Sequence, residues 1–242
     1  MLRESFSSVF NTVMTDNGFS DFISESVSRK FQNLSDYMLE TNKSMNLTAI
    51  KEENAVILRH FADSLTVARF LPENAKILDV GCGAGFPCLP LGICRPDLEI
   101  VALDSTEKRI RYVESAAKLL ELCKFSALAA RAEDAAHTAI RESFDVCTAR
   151  AVAALPVLAE LCLPFVRVGG RFIAMKAKRG EEELAAAKSA ITCLGGKVAR
   201  VHEVTLRGNG EEDARLLIEV EKISPTPKEF PRAYAKILKR PL

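Results

Sequence analysis

The sequence predicts an α/β protein with a mainly parallel, seven-stranded sheet, helices on both faces and a helical N-terminal extension. Three observations support this fold class. From residue 76 onward, short apolar runs alternate with helical segments, as expected for parallel strands joined by crossover helices. The first of these strands leads directly into a glycine-rich turn. The last two strands flank a glycine-containing loop, which predicts an antiparallel pair that closes the sheet.

The elements follow in chain order. Apolar residues recur every three or four positions over 19–40 and over 52–70, which predicts two amphipathic helices. The predicted strands are 76–80, 98–103, 125–130, 143–149, 169–176, 197–205 and 213–221. The predicted helices among them are 86–95, 106–121, 155–165 and 181–194. The tail is rich in proline and is predicted to be irregular. We therefore divide the chain into a helical extension (1–72), a core (73–222) and a basic tail (223–242).

Composition narrows the class of protein. Hydrophobic residues make up 48% of the 242 residues and charged residues 27%, which is typical of a globular domain with a full core. The 33 basic and 32 acidic residues nearly cancel, so a nucleic-acid partner would have to be held by local basic patches. No apolar run approaches the ~20 residues that span a bilayer, and the first residues lack a secretory pattern. The seven cysteines include no C-x-x-C pair. We expect a cytoplasmic protein with reduced thiols, no metal site and no membrane partner.

The glycine-rich turn is the most informative stretch. Gly81, Gly83 and Gly85 alternate with other residues, and Asp79 stands two residues before the first glycine. A dinucleotide-binding turn would instead carry a third glycine at the position that Phe86 occupies. The observed pattern is expected for a ligand that has no pyrophosphate and carries a cationic amino-acid end for Asp79 to balance, as S-adenosylmethionine does. The turn therefore predicts a class I (Rossmann-like) S-adenosylmethionine-dependent methyltransferase.

Further candidates follow the later strands, because such sheets bind ligands beyond the carboxyl ends of their strands. Asp104, followed by Ser105, ends the second strand and could accept both ribose hydroxyl hydrogen bonds, or cap the next helix. Ala132 and Glu133 follow the third strand and could read an adenine edge, or belong to an ordinary helix cap. Arg150 follows the fourth strand and could hold the cofactor, a phosphate or the target base.

Two residues are candidates for positioning the substrate. Lys176 ends the fifth strand, with a solvated lysine as the alternative, and His60 lies in the extension, with an intrahelical pair to Asp63 as the alternative. No Asn-Pro-Pro-Tyr or Asp-Pro-Pro-Tyr motif follows the fourth strand, and Cys147 is expected to lie in the core. No general base is evident, so no catalytic acid or base is assigned. An acceptor with a bare lone pair, such as a purine N7, needs none.

Taken together, the motifs resemble the RsmG (GidB) family of bacterial small-subunit ribosomal RNA guanine-N7 methyltransferases. The resemblance runs in order from residue 46 to the last residue. Its segments are Asn46-Leu47-Thr48, Arg59-His60 with Asp63-Ser64-Leu65, Asp79 to Pro87, Asp104-Ser105 with Lys108-Arg109, Ala132-Glu133, Ala149-Arg150-Ala151, Gly169-Gly170 with Lys176, and Phe230-Pro231-Arg232 leading to Pro241-Leu242.

The resemblance implies methylation of N7 of guanosine 527, in the 530 loop of 16S ribosomal RNA. It implies cofactor contacts at Gly81, Phe86, Ala132, Glu133 and Arg150. S-adenosylhomocysteine would be the product. Because no base or placed nucleophile is evident, we predict direct in-line transfer of the methyl group without a covalent enzyme intermediate. The expected partner is the small ribosomal subunit or its RNA, and the protein is expected to be a monomer.

A basic tail is the predicted contact for RNA phosphates. From Lys222 to Leu242 there are six lysines and arginines against one acid, Glu229. The residues predicted to bind RNA are Arg59, Lys108, Arg109, Arg232, Lys236, Lys239 and Arg240.

The chain departs from the family at four positions, and two other functions stay open. Family members usually carry Ser or Thr at Cys82, Gly at Cys88, and a glycine and a proline where Ala235 and Ile237 stand. One alternative is a class I methyltransferase that acts on a protein or a small molecule; it would need an acceptor pocket in place of a basic rim. The other is a non-enzymatic or NAD-binding domain, against which Phe86 argues because it stands in place of the third glycine.

Overall fold

One twisted sheet organises the protein, which is described here by a computed structural model over residues 2–177, 180–208 and 210–242. Within these residues the strand order is β3-β2-β1-β4-β5-β7-β6. The first five strands are parallel, and β7 runs antiparallel between β5 and β6. The strands are β1 (Lys76–Val80), β2 (Glu99–Asp104), β3 (Phe125–Ala129), β4 (Phe144–Arg150), β5 (Val166–Ala177), β6 (Gly196–Gly208) and β7 (Glu211–Lys222). The prediction of a mainly parallel sheet closed by an antiparallel pair is confirmed.

Helices cover both faces of the sheet. They are α1 (Glu4–Asp16), α2 (Glu25–Met45), α3 (Glu53–Val56), α4 (Asp63–Leu65), α5 (Cys88–Cys94), α6 (Glu107–Leu119), α7 (Ala132–Ala135), α8 (Leu155–Cys162), α9 (Gly180–Cys193) and α10 (Tyr234–Lys239). The helix predicted over 19–40 begins later, because the Ser24 side chain caps α2 by accepting a hydrogen bond from Val27 N–H at 3.2 Å. It ends at Asn46, whose φ of 50° is left-handed. No helix of the described chain is long and apolar enough to span a bilayer.

The extension packs against the sheet through a row of phenylalanines. Phe10, Phe31 and Phe61 are almost fully buried, and their ring centroids are 5.0 and 4.8 Å apart in succession. Phe61 in turn lies 6.2 Å from Phe86 at the glycine-rich turn. The segment Ile57–Ala62, between α3 and α4, is a π-helical turn, a feature frequent at functional sites. This turn presents Arg59 and His60 toward the carboxyl ends of the strands.

The tail is irregular over residues 223–233, as predicted, but it is firmly anchored and forms the short helix α10, which the sequence did not predict. Ile237 of α10 is fully buried, and Arg232 forms an ion pair with the buried Glu160 at 2.6 Å. Arg141 donates hydrogen bonds to three tail carbonyls, that of Phe230 among them at 2.8 Å. These contacts join residues that are far apart in the chain. The proline content of the tail, a local property, therefore could not predict them.

The prediction that Lys222 contacts RNA as part of the basic tail is wrong, because this residue is fully buried and cannot reach RNA. Its Nζ donates to the Leu163 carbonyl at 2.7 Å and lies 3.2 Å from Glu142 Oε1. Burial lowers the pKa of this ammonium, and the Glu142 carboxylate opposes that shift. Lys222 therefore ties the end of β7 to the core.

Candidate active site

A cavity of about 490 Å³ lies above the glycine-rich turn, and we call it the glycine-turn cavity. It sits at the carboxyl ends of β1, β2, β3 and β4, where this class of sheet binds ligands. Most of the predicted cofactor residues form its wall. The wall comprises Gly81, Cys82, Gly83, Ala84, Phe86, Asp104, Ser105, Arg109, Ala130, Arg131, Ala132, Glu133, Arg150, Ala151, Val152, Leu47, His60, Val80, Leu103, Leu161 and Tyr234.

The floor of this cavity is bare backbone. Gly81 has a φ of 71°, and a Cβ there would lie 2.6 Å from Val152 Cγ2. Gly83 has a φ of 56° and faces open space, with no heavy atom nearer than 3.9 Å to such a Cβ. The Gly81 N–H donates to the Leu103 carbonyl at 2.7 Å, which fixes the turn against β2. Only glycine combines these conformations with so close an approach to a ligand.

Asp79 and Gly85 lie behind the wall rather than in it. Asp79 is almost fully buried, and its carboxylate accepts hydrogen bonds from Cys88 N–H at 3.3 Å and from Thr148 Oγ1 at 3.2 Å. Burial raises the pKa of this carboxyl to about 6. Asp79 therefore braces the turn from below, and its contact with the cationic end of a ligand stays a prediction.

Asp104 joins the turn to the next helix. Its Oδ2 accepts from Gly83 N–H at 3.0 Å, and its Oδ1 accepts from Thr106 N–H at 2.8 Å. The second bond closes a turn before α6, whose N-cap residue is Thr106, so the helix-cap interpretation of Asp104 is not confirmed. Arg109 lies 3.7 Å from the same carboxylate and lines the cavity, although the sequence places it with RNA.

Arg150 organises the wall that faces the extension. Its guanidinium forms an ion pair with Asp63 Oδ2 at 2.7 Å and donates to the Arg59 carbonyl at 3.1 Å. The same group lies 5.3 Å from the centre of the Phe86 ring. His60 stacks on that ring, with centroids 4.5 Å apart and planes 8° from parallel. These contacts connect β4, the glycine-rich turn and the π-helical turn at one point.

His60 is a neutral ring with a defined tautomer. Arg150 Nη2 lies 3.3 Å from Nδ1 and can only donate, so the ring proton is assigned to Nε2, which donates to Thr48 Oγ1 at 2.8 Å. Burial, and then the charge of Arg150, lowers the pKa of His60 to about 3. The expected intrahelical pair with Asp63 is not formed, because both oxygens of Asp63 accept from arginines, Arg150 and Arg215.

We expect His60 to make the protein acid-sensitive. A histidine whose pKa is lowered by folding stabilises the folded state fully above its unfolded pKa, and this stabilisation is lost as pH falls toward the folded value. Between pH 7 and pH 4 the wild type should lose about 3 kcal/mol of unfolding free energy through this group. His60→Gln should lose correspondingly less over the same range in urea titrations. An identical pH dependence of the wild type and His60→Gln would contradict the assignment.

A second cavity, of about 550 Å³, adjoins the first and shares His60, Arg150 and Ala151 with it. Ala151 has a left-handed φ of 57°, a strained conformation of the kind found at binding sites. We call this space the charged cavity. The remainder of its wall is Arg59, Asp63, Thr66, Met175, Lys176, Ala177, Glu183, Asp213, Arg215 and Leu217.

Lys176 lies in the wall of the charged cavity and is buried, so it is not a solvated lysine. Its Nζ donates to the Ala153 carbonyl at 2.5 Å and forms an ion pair with Glu183 at 2.7 Å. Glu183 also accepts from Leu155 N–H at 2.7 Å. This pair holds the ends of β5, α8 and α9 together beside the cavity.

The residues predicted to bind RNA occupy different surroundings. Arg59 lines the charged cavity, and Arg109 lines the glycine-turn cavity. Arg232 is half-buried against Glu160, which gives it a role in anchoring the tail. The other four are exposed on the surface: Lys108, Lys236, Lys239 and Arg240.

Tyr234, at the start of α10, was not identified from the sequence. It lines the glycine-turn cavity together with Ala132, Glu133 and Leu161. The tail reaches this place because Ile237 is buried and Arg232 is clamped by Glu160. Nothing in the neighbouring sequence indicates that this tyrosine lines a cavity, because its position depends on how the tail packs against the core.

Truncation of Tyr234 should weaken ligand binding in the glycine-turn cavity. Because an aromatic contact contributes about 1 kcal/mol, Tyr234→Ala should bind S-adenosylhomocysteine roughly fivefold more weakly by calorimetry. Leu238→Ala, at an exposed position of the same helix, should bind as the wild type does. Equal affinities for all three proteins would remove Tyr234 from the site.

No group of His, Cys, Asp or Glu side chains within residues 2–177, 180–208 and 210–242 is arranged to hold a metal ion. The buried thiols are not available for chemistry either. Cys82 and Cys88 lie against each other beneath the turn, and burial raises the pKa of the Cys88 thiol well above its usual range. Cys147 is fully buried in β4, as predicted.

The strand order, together with the cavity at the carboxyl ends of the strands, is that of a class I S-adenosylmethionine-dependent methyltransferase. Solved structures of this class have the same fold. A SAM-dependent methyltransferase from Aquifex aeolicus matches with a TM-score of 0.53 at 18% identity, covering 72% of this chain and 96% of that chain. One from Methanosarcina mazei matches with a TM-score of 0.51 at 16% identity, covering 65% of this chain and 97% of that chain.

The family follows from sequence. The family model for rRNA small subunit methyltransferase G (GidB) matches residues 27–211, and the chain belongs to this family. Proteins named ribosomal RNA small subunit methyltransferase G are similar over most of their length. The Lacticaseibacillus paracasei protein is 49% identical, covering 85% of this chain and 86% of its own. The Lactobacillus johnsonii protein is 42% identical, covering 97% of this chain and 98% of its own. The resemblance seen in the sequence motifs is confirmed.

Proposed function

We propose that this protein transfers the methyl group of S-adenosylmethionine to N7 of guanosine 527 in 16S ribosomal RNA. The observation that carries the proposal is the pair of adjoining cavities that share His60, Arg150 and Ala151. A transferase needs two sites whose ligands meet at one point. Membership of the small-subunit methyltransferase G family supports ribosomal RNA as the acceptor.

The glycine-turn cavity fits the cofactor. Its floor at Gly83 is open backbone, which leaves room for a nucleoside, and the Asp104 carboxylate in its wall suits ribose hydroxyls. We assign cofactor contacts to the wall residues Gly81, Gly83, Phe86, Asp104, Ser105, Ala132, Glu133 and Arg150, with Asp79 and Gly85 supporting the turn. When bound, S-adenosylmethionine supplies an electrophilic methyl group on a sulfonium centre, and S-adenosylhomocysteine would leave from the same cavity.

The chemistry then needs positioning rather than proton transfer. A guanine N7 carries a lone pair and no proton, so the N–C bond can form as the S–C bond breaks with its electron pair remaining on sulfur. His60 is neutral and held at both ring nitrogens, so it shapes the junction and is not assigned as a base. Cys147 is fully buried, which is consistent with direct in-line transfer without a covalent enzyme intermediate.

Exposed basic residues would bring the RNA to the site. We assign phosphate contacts to Lys108, Lys236, Lys239 and Arg240, which are exposed, and we place Arg59 and Arg109 at the cavity mouths. Removal of the whole tail would also remove the buried Ile237, so a charge variant is the cleaner probe. The triple variant Lys236→Ala, Lys239→Ala, Arg240→Ala should retain cofactor binding and lose affinity for RNA.

The test is transfer of a labelled methyl group from S-adenosylmethionine to small subunits isolated from cells that lack the gene. Nucleoside analysis should find the label as 7-methylguanosine, and the tail charge variant should raise KM for the subunit. Label in another nucleoside would overturn the proposed acceptor atom. Undiminished activity of the charge variant, with label in protein or a small molecule, would favour the alternative acceptor class.

A further inference from the structure

The wall of the charged cavity contains three carboxylates, and two of them hold neighbouring elements together. Asp63 accepts from Arg150 through Oδ2 and from Arg215 through Oδ1, each at 2.7 Å. Glu183 accepts from Leu155 N–H and from Lys176 through one oxygen, Oε2, also at 2.7 Å each. Reorienting either carboxylate would break bonds that hold the cavity wall together.

Asp213 is different from these two residues. Its side chain is 50% exposed, and its Oδ1 forms an ion pair with Arg215 Nη1 at 2.7 Å. A hydrogen bond from Arg215, and then the charges of Arg215 and Arg59, lowers the pKa of this carboxyl and keeps it ionised. Asp213 therefore presents an ionised carboxylate to the cavity with acceptor capacity left over.

The carboxylate is also held in a defined place relative to the first cavity. Asp213 pairs with Arg215, Arg215 with Asp63, and Asp63 with Arg150, each contact being 2.7 Å. Arg150 is part of the wall that both cavities share. A ligand group bound by Asp213 would thus be positioned through this chain of ion pairs.

We propose that Asp213 recognises the Watson–Crick edge of the acceptor guanine in the charged cavity. Guanine donates two adjacent hydrogens on this edge, from N1 and from the N2 amino group, and a carboxylate offers two acceptor oxygens to match. Adenine has an acceptor at N1 and is disfavoured. This assignment rests on the proposed function, since it takes guanine N7 as the methyl acceptor.

The same carboxylate would also favour the reaction itself. Methyl transfer to N7 moves one positive charge from sulfur to the purine, because the N7 lone pair forms the new bond and sulfur keeps the electrons of the old one. A fixed negative charge at the opposite edge of the purine becomes more favourable as that charge develops. Asp213 is therefore expected to affect kcat as well as KM.

The test compares small subunits reconstituted with guanosine or with inosine at position 527, since inosine lacks only the N2 amino group. The wild type should lose roughly 10-fold in kcat/KM on inosine. Asp213→Ala should lose roughly 10-fold or more on guanosine and show little further loss on inosine. Affinity for S-adenosylhomocysteine and the melting temperature should stay within error of the wild type. Glu203→Gln, an exposed carboxylate on β6 of the same hairpin, should behave as the wild type on both substrates.

The outcomes separate the inference from the proposed function. Equal guanosine-to-inosine ratios for the wild type and Asp213→Ala would overturn the assignment of Asp213 while leaving the methyltransferase intact. Methylation of neither substrate by the wild type would overturn the proposed acceptor, and the inference with it. Asp213→Asn provides a second variant of the same size, and it should fall between the wild type and Asp213→Ala.

Discussion

Replacement of Arg150 by alanine is expected to lower kcat/KM for methyl transfer roughly 100-fold, equivalent to about 3 kcal/mol. The guanidinium lines both cavities, covers the Phe86 ring and holds the carboxylate of Asp63 at 2.7 Å. Without it, Asp63 keeps one of its two arginines, and His60 Nδ1 loses its contact with Arg150 Nη2. Steady-state kinetics with labelled S-adenosylmethionine would measure the loss.

The control for this variant is Arg29→Ala, which removes an exposed arginine of the extension paired with Glu25. It should leave kcat/KM unchanged, because exposed ion pairs contribute little. Arg150→Lys should recover part of the activity at most, since an ammonium cannot make the several bonds of a guanidinium. Normal cofactor binding and normal methylation by Arg150→Ala would remove Arg150 from the site.

Replacement of Gly81 by alanine should both destabilise the protein and abolish cofactor binding. The left-handed conformation costs a side chain about 1–2 kcal/mol, and the added Cβ forces a clash that costs a similar amount. That Cβ would lie 2.6 Å from Val152 Cγ2, and valine has little rotamer freedom with which to move away. Denaturant unfolding should therefore show a loss of about 2–4 kcal/mol, and calorimetry should show no binding of S-adenosylhomocysteine.

Substitutions at two other glycines separate the conformational cost from the effect on cofactor binding. Gly210→Ala shares the positive φ but has no atom within 4 Å, so it should show the conformational cost alone and bind cofactor normally. Gly83→Ala also has a positive φ and open surroundings, so it should show a similar conformational cost, but its Cβ enters the cavity and it should bind cofactor poorly. Tight cofactor binding by Gly83→Ala would show that the floor of the glycine-turn cavity is not the binding surface.

The sheet was predicted well from the sequence because each strand is signalled by residues that are neighbours in the chain. Buried strands such as 76–80 are short apolar runs, and the hairpin of β6 and β7 is signalled by its loop. Prediction from the sequence failed where distant contacts decide the structure. Helix α10 of the tail is held in place because Ile237 is buried and Arg232 meets Glu160, 72 residues earlier in the chain. Helix α2 begins at its Ser24 cap, several residues inside the apolar stripe that predicted it.

The candidate site divides in the same way. The glycine-rich turn, Asp104 and Arg150 were identified because they follow strands in the chain, and the structure brings them to one cavity. Tyr234 and Asp213 were missed, because one depends on how the tail docks and the other on the insertion of β7 beside β5. The position of His60 was foreseen as a candidate, but its partners Thr48 and Arg150 come from other elements.

The most direct test of the account is a map of modified nucleotides in 16S ribosomal RNA from cells with and without this gene. We predict that 7-methylguanosine at position 527 disappears in the absence of the gene. It should return with the wild-type protein and remain absent with Arg150→Ala. Retention of 7-methylguanosine at that position in cells that lack the gene would contradict the proposed function.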